Sequence, residues 1–157
     1  MQEAMATITA GQLGRRVGAS WSVAQILDHL NLTYVGTIRN LERSLKAGNP
    51  GSGQKRARAR WQRLLITRLG WFPSGRMAPE RVLPREAPPE QIASEVIKNL
   101  TRMDGLIGQC ELRFGPKPIA DHPLLGPLTA REWRAFHYSH GKHHEKQIRQ
   151  LKARFTP

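Results

Sequence analysis

In three stretches of this chain, apolar residues return every three or four positions, the repeat of an α-helix. The first stretch carries Val23, Ile26, Leu27, Leu30, Tyr34, Ile38, Leu41 and Leu45. Ser22 and Gln25 precede it as a capping box, in which each side chain answers a backbone N–H left unbonded by the first turn. Gly48-Asn49-Pro50-Gly51 closes it, because glycine accepts the left-handed end of a helix and proline cannot continue one. The pattern predicts a helix over 22–47. A second helix opens at Pro88-Pro89-Glu90, where proline is tolerated in the first turn. Its stripe is Ile92, Val96, Leu100, Met103, Ile107 and Cys110, and Gly115, Pro116 and Pro118 end it by about Phe114. The third is the best marked. Thr129 with Glu132 forms a capping box, Leu128 with Trp133 occupies the positions of a hydrophobic staple, and the helix runs to about Arg154. With three long helices and no alternating strand pattern, the expected class is all-α.

Length and composition place these helices in one domain over 1–157, interrupted by an irregular basic connector at about 49–89. Apolar residues make up 39% and charged residues 24%, which suits a globular chain and not a disordered one. No run approaches the roughly 20 apolar residues of a membrane span. The start, MQEAMATITAGQLGRR, lacks the apolar core of a secretory signal. Cys110 is the lone cysteine, which excludes an internal disulfide framework and a cysteine-based zinc knuckle. The expected compartment is the cytoplasm. A formal charge of +13 points to attraction for nucleic acid, anionic lipid or an acidic small molecule.

Chemistry is written on the last helix. Trp133 and Phe136 begin its inward stripe, Ile148 and Leu151 finish it, and His137, His140 and His144 stand between them. Buried imidazoles need partners for their nitrogens, and a divalent cation is one such partner. Residues four apart stack on one helix face, so His140 and His144 can aim at a single ion. An HxxxH pair alone is a weak signal, since histidines also bond one another or backbone carbonyls. His29, at the border of the first stripe, adds a third ring from a second helix. Three protein ligands leave a position open, the arrangement of a catalytic zinc site. The expected metal set is His29, His140 and His144, holding zinc or nickel. Asp28 and Gln147 are candidates to orient the ligands from behind, and His137 is either a core residue or a further such candidate. His143 is expected to point outward into solvent, and His122, before Pro123, to border the site or shape a turn. Cys110 reads as inert packing.

Taken together, Trp21-Ser22, Asp28-His29-Leu30-Asn31-Leu32, His122-Pro123 with Gly126, Glu132-Trp133, Phe136, His140, His143-His144 and Gln147-Ile148 resemble the DinB-like superfamily, which includes metal-dependent bacillithiol transferases. The match covers both ends of residues 20–150 and leaves the arginine-rich middle aside. The resemblance implies an up-down four-helix bundle, with one ligand from its second helix and an HxxxH pair from its last. Carried over position by position, the ligands are again His29, His140 and His144. Characterised relatives transfer low-molecular-weight thiols or isomerise substrates with thiol help, and many others have no known activity. The implied activity is a metal-dependent thiol transferase or hydrolase, with a small-molecule thiol or an acidic compound as its substrate. Such bundles begin with a long helix before the Trp-Ser pair. Here twenty residues precede Trp21, and Thr9 with Gln12 caps a short turn at most. The expectation is therefore a first helix that is short or missing, with either an upstream start or a homodimer partner covering the gap.

A different class of function competes with this one. From Lys55 to Arg85, nine Lys or Arg accompany one acid, Glu80, with Trp61, Trp71 and Phe72 interleaved. That mixture suits a non-enzymatic module contacting nucleic acid through residues 55–85. Trp61 to Phe72, with arginines flanking Leu64, Leu65, Ile66 and Leu69, could instead lie on an anionic membrane surface. A solvated connector, or a helix docked on the bundle, explains the same residues more simply.

Overall fold

The computed structural model describes residues 8–49, 79–85 and 88–155. Helix dominates them. A short helix α1 (Ala10–Gly14) precedes three long ones, α2 (Val23–Ala47), α3 (Pro89–Phe114) and α4 (Ala130–Ala153). Each long helix starts and stops within a residue or two of its predicted ends. Ser22 caps α2, with Gln25 N–H donating to Ser22 Oγ at 3.2 Å and Ser22 N–H donating to Gln25 Oε1 at 3.0 Å. Gly48 ends it at φ +71°, a backbone that side chains resist. Thr129 and Glu132 make the same reciprocal pair at the head of α4. Thr9 and Gln12 do so for α1, which stops after five residues.

The all-α expectation needs one correction. Between α3 and α4 the chain forms an antiparallel hairpin of β1 (Pro118–His122) and β2 (Gly126–Thr129). Its strands bury consecutive rather than alternate residues, Ile119 with Ala120 and Pro127 with Leu128, and a register shift lies between Pro118 and Ala120. Period-two patterning, the signal of a half-buried strand, is therefore never written into them. Pro118 and Pro127 survive because each strand has only one neighbour among the described residues, so a missing N–H can face outward. Ser44 Oγ of α2 donates to the Ile119 carbonyl at 2.6 Å and fastens the hairpin to the core.

The core is one cluster that includes Leu27, Leu30 and Leu41 of α2, Met103 and Ile107 of α3, Leu128 of β2 and Trp133 and Ile148 of α4. Every member of the first predicted stripe is buried except Leu45, which is partly so. Leu100 departs from the second stripe and is 38% exposed. Polar pairs fix the rotation of the helices. Asn31 of α2 donates to Glu95 at 3.1 Å and accepts from Asn99 at 2.8 Å, and Arg134 of α4 bonds Asp104 and Glu111 of α3. Ahead of α2, Leu13 of α1 joins the core with Ile8 and Val17 beside it, so residues before the Trp-Ser pair cover part of that core. Residues 1–7, and with them the question of a longer first helix, lie outside the described residues. So does most of the predicted connector, including Trp61 to Phe72. Among the described residues no helix is long and apolar enough to cross a membrane.

Candidate metal centre

His29 stands seven residues into α2, and His140 and His144 stand one turn apart on the inner face of α4. Capping fixes the frame of both helices, and their apolar stripes turn these three positions inward. All three rings are buried. His140 Nε2 lies 3.2 Å from His29 Nε2 and 3.0 Å from His144 Nε2, and one ring nitrogen from each residue falls within 4.8 Å of the others. Tetrahedral metal–nitrogen bonds of about 2.0–2.1 Å separate neighbouring nitrogens by about 3.3 Å. The spacing here fits that demand, and the cluster could hold a divalent metal ion.

The proton positions sharpen the fit. His29 Nδ1 donates to the Val82 carbonyl at 2.7 Å, and His144 Nδ1 donates to Gln147 Oε1 at 2.7 Å. Both Nε2 atoms therefore present bare lone pairs to His140 Nε2. A neutral His140 carries at most one Nε2 proton and cannot satisfy both neighbours. A cation among the three nitrogens would satisfy all of them. Protonating the rings is a poor alternative. Burial holds the His144 imidazole down at about 3, reinforced by His29, and holds His140 well below the ordinary value, with His144 and His29 adding to it. Burial also lowers His29, against smaller opposing effects of the Val82 carbonyl and Asp28. The rings are thus neutral lone-pair donors at neutral pH, the form a metal requires.

The candidates behind the ligands divide. Gln147 bonds His144 directly, as expected of an orienting residue. Asp28 does not bond a ligand. Almost wholly buried, its Oδ2 accepts the Arg85 N–H at 2.7 Å and its Oδ1 accepts the Arg85 guanidinium at 3.3 Å. It pins the segment whose 3₁₀ turn, Glu80–Val82, carries the carbonyl that holds His29. His137 belongs elsewhere: its Nε2 meets Thr37 Oγ1 at 3.0 Å, and its ring stacks on Trp133. Burial, with His122 adding to it, lowers its pKa to about 3. His143 departs from its expected outward place. Half-buried, its Nε2 accepts from the Gln147 amide at 3.2 Å, and so it steadies the residue that steadies His144. His122 shapes the hairpin turn, with Nδ1 accepting the Leu124 and Leu125 N–H groups at 3.1 and 3.2 Å. Cys110 is a buried free thiol whose pKa is raised by burial.

Two contributors escaped sequence reading. The Val82 carbonyl is a main-chain atom in an irregular segment and carries no residue signature. Trp21 lies against the His29 ring at 5.2 Å between centroids. The one available hint to the Val82 turn was Asp28 itself, since an acid amid Leu27, His29 and Leu30 demands a buried partner. Of the Lys55–Arg85 stretch, residues 79–85 are described, and their contacts serve the histidine cluster. Residues 55–78, which carry the nucleic-acid and membrane readings, lie outside the described residues.

Comparison with protein-family models matches residues 2–151 to a family described as "Protein of unknown function (DUF1569)". No curated protein and no solved structure matches the chain.

Proposed function

This chain belongs to the DUF1569 family, and from that premise and its histidine geometry we propose a divalent-metal-binding protein whose ligands are His29, His140 and His144. One observation carries the reading: two ring nitrogens whose partners fix them as acceptors both face a third ring that has one proton at most. An all-imidazole set favours zinc or nickel over the hard cations that prefer oxygen. The architecture we infer is a DinB-like up-down bundle with a short first helix. The Trp21-Ser22, His29 and His140-to-Gln147 motifs support it, as do the three long helices.

Three ligands leave a coordination position for a molecule from outside. A metal held there supplies Lewis acidity, lowering the pKa of a thiol or water at that position. The protein's part is to keep three rings neutral, fix two of their tautomers through Val82 and Gln147, and shield the cluster with Trp21 and Phe136. A cleft of about 380 Å³ is lined by Trp21 and Gln147, which touch His29 and His144, and by Gln150 of α4 and Arg154 just past its end. Arg154 gives it a cationic end suited to an acidic substrate or an anionic low-molecular-weight thiol. The activity we propose is metal-dependent thiol transfer or hydrolysis.

Elemental analysis of protein purified without chelator, beside a His29→Ala/His144→Ala variant, tests the centre. Near-stoichiometric zinc or nickel in the native protein and its loss from the variant are expected. Equal metal in both, or failure of the native protein to take up added Zn²⁺, would remove the centre and the chemistry built on it.

A further inference from the structure

The segment from Pro79 to Arg85 reaches the histidine cluster without burying any of its side chains. Its 3₁₀ turn is bonded within itself, with Val82 N–H donating to the Pro79 carbonyl at 2.9 Å and Leu83 N–H to the Glu80 carbonyl at 3.1 Å. Among the described residues, its hydrogen bonds to the rest of the protein end on two consecutive positions of α2. His29 Nδ1–H donates to the Val82 carbonyl at 2.7 Å, and Asp28 accepts from the Arg85 N–H and guanidinium. A segment held by polar ties, with no buried apolar anchor, opens at low cost. One of those ties ends on a ring of the histidine cluster.

The neutral His29 ring has one proton and two places for it. On Nδ1 the proton bonds Val82. On Nε2 it faces His140 Nε2 at 3.2 Å, and Nδ1 then sets a lone pair against a carbonyl that can only accept. A cation bonded to Nε2 removes the second choice. Resting on the metal reading above, we propose that residues 79–85 are a strap governed by the metal: occupancy of the cluster locks His29 into the Nδ1–H tautomer and so closes the segment onto α2. The exchange of tautomers moves no net charge. Linkage makes the effect reciprocal, so the factor by which the closed strap tightens the ion is the factor by which the ion closes the strap. A cut that frees residues 79–85 therefore loosens the ion.

Amide exchange in the full-length ¹⁵N-labelled protein tests the strap, with Zn²⁺ uptake measured on the same samples. Saturating Zn²⁺, added to chelator-stripped protein, should slow exchange of the Arg85 N–H by about tenfold or more, the effect of an outer ligand partner read in reverse. The Gly48 N–H, bonded to the Ser44 carbonyl at the far end of α2, should keep its rate. Gln147→Ala, filled with Zn²⁺, should retain the Arg85 slowing because the His29–Val82 pair is intact, and His29→Ala should lose it. Should either variant fail to fold, the native comparison still decides. Zn²⁺ taken up with Arg85 exchange unchanged to within about twofold, well under that effect, would overturn the strap and leave the metal centre standing. Equal slowing at Gly48 and Arg85, or slowing that survives in zinc-bound His29→Ala, would also overturn it. No Zn²⁺ uptake would remove the centre and the strap together.

Discussion

Replacing Asp28 with alanine should loosen the histidine centre without removing a ligand. The carboxylate is 1% exposed and accepts the Arg85 N–H at 2.7 Å. A hydrogen bond to a charged group contributes about 1.5–3 kcal/mol. Its guanidinium contact, at 3.3 Å to a side chain 63% exposed, adds little in water. Because the freed N–H belongs to an exposed residue and can turn to solvent, the low end applies, about 1.5–2 kcal/mol of folding stability. The larger effect should fall on metal. With residues 79–85 released, the Val82 carbonyl no longer holds His29 Nδ1, and loss of such an outer partner costs about 10–100-fold in affinity. Asp28→Asn, which keeps an oxygen for the Arg85 N–H, should fall between native and alanine. Competition for Zn²⁺ against a chromophoric chelator reads the affinity, urea unfolding reads the stability, and long-range ¹H–¹⁵N correlations read the His29 tautomer. If Asp28→Ala keeps its Zn²⁺ affinity to within about twofold, well under the usual outer-partner effect, and His29 keeps its Nδ1 proton, the reasoning is refuted.

Single alanine substitutions at His29, His140 or His144 should each weaken Zn²⁺ binding beyond the roughly 10–100-fold range of outer partners. Gln147→Ala should cost about tenfold and His143→Ala less, and the same competition assay would expose a reversed order. Acid should destabilise the fold through His137, whose pKa falls from 6.5 to about 3 on folding. Its contribution is complete above 6.5 and is lost as pH falls toward 3, because the unfolded chain takes up the proton first. By pH 5 that amounts to about 2 kcal/mol. Urea midpoints at pH 7.5 and 5 should therefore converge in His137→Phe relative to native protein, and an unchanged difference would count against the buried neutral ring. Thr129→Ala should cost about 1 kcal/mol by uncapping α4, measured by thermal melting, and it should spare the metal stoichiometry.

The long helices were legible because their signals are local. Ser22, Gln25, Gly48, Thr129 and Glu132 satisfy or end backbone bonds within one turn of themselves, so three- and four-residue spacing carries the whole message. The hairpin was hidden for the opposite reason. Ile119 and Leu128 acquire their burial from Ser44 and the helices around them, not from an alternating pattern of their own. In the candidate site, helical period placed His140 beside His144, and the border position of His29 brought it to the same spot. His137, read as a core or supporting residue, is packed in the core, whereas the expectation that His143 faces solvent went astray. A stripe tells which way a residue faces, and only the neighbouring helix, here through Thr37, decides what it meets. Val82 acts through its main chain, to which the identity of its side chain gives no clue.

The contact between His29 and His140 joins positions 111 residues apart, and the carbonyl steadying His29 comes from 53 residues downstream. Only a fragment spanning residues 29–147 would contain the whole cluster with its Val82 and Gln147 supports, so a bound ion would report that α2 and α4 have met. The order of assembly follows: α2 and α4 must meet before any strong site exists, and a metal captured afterwards pins together two ends that the chain's own entropy pulls apart. A chelator added to the loaded protein would then act at a distance, slackening the α2–α4 seam from the hairpin to the 3₁₀ turn, and amide exchange along both helices would rise together.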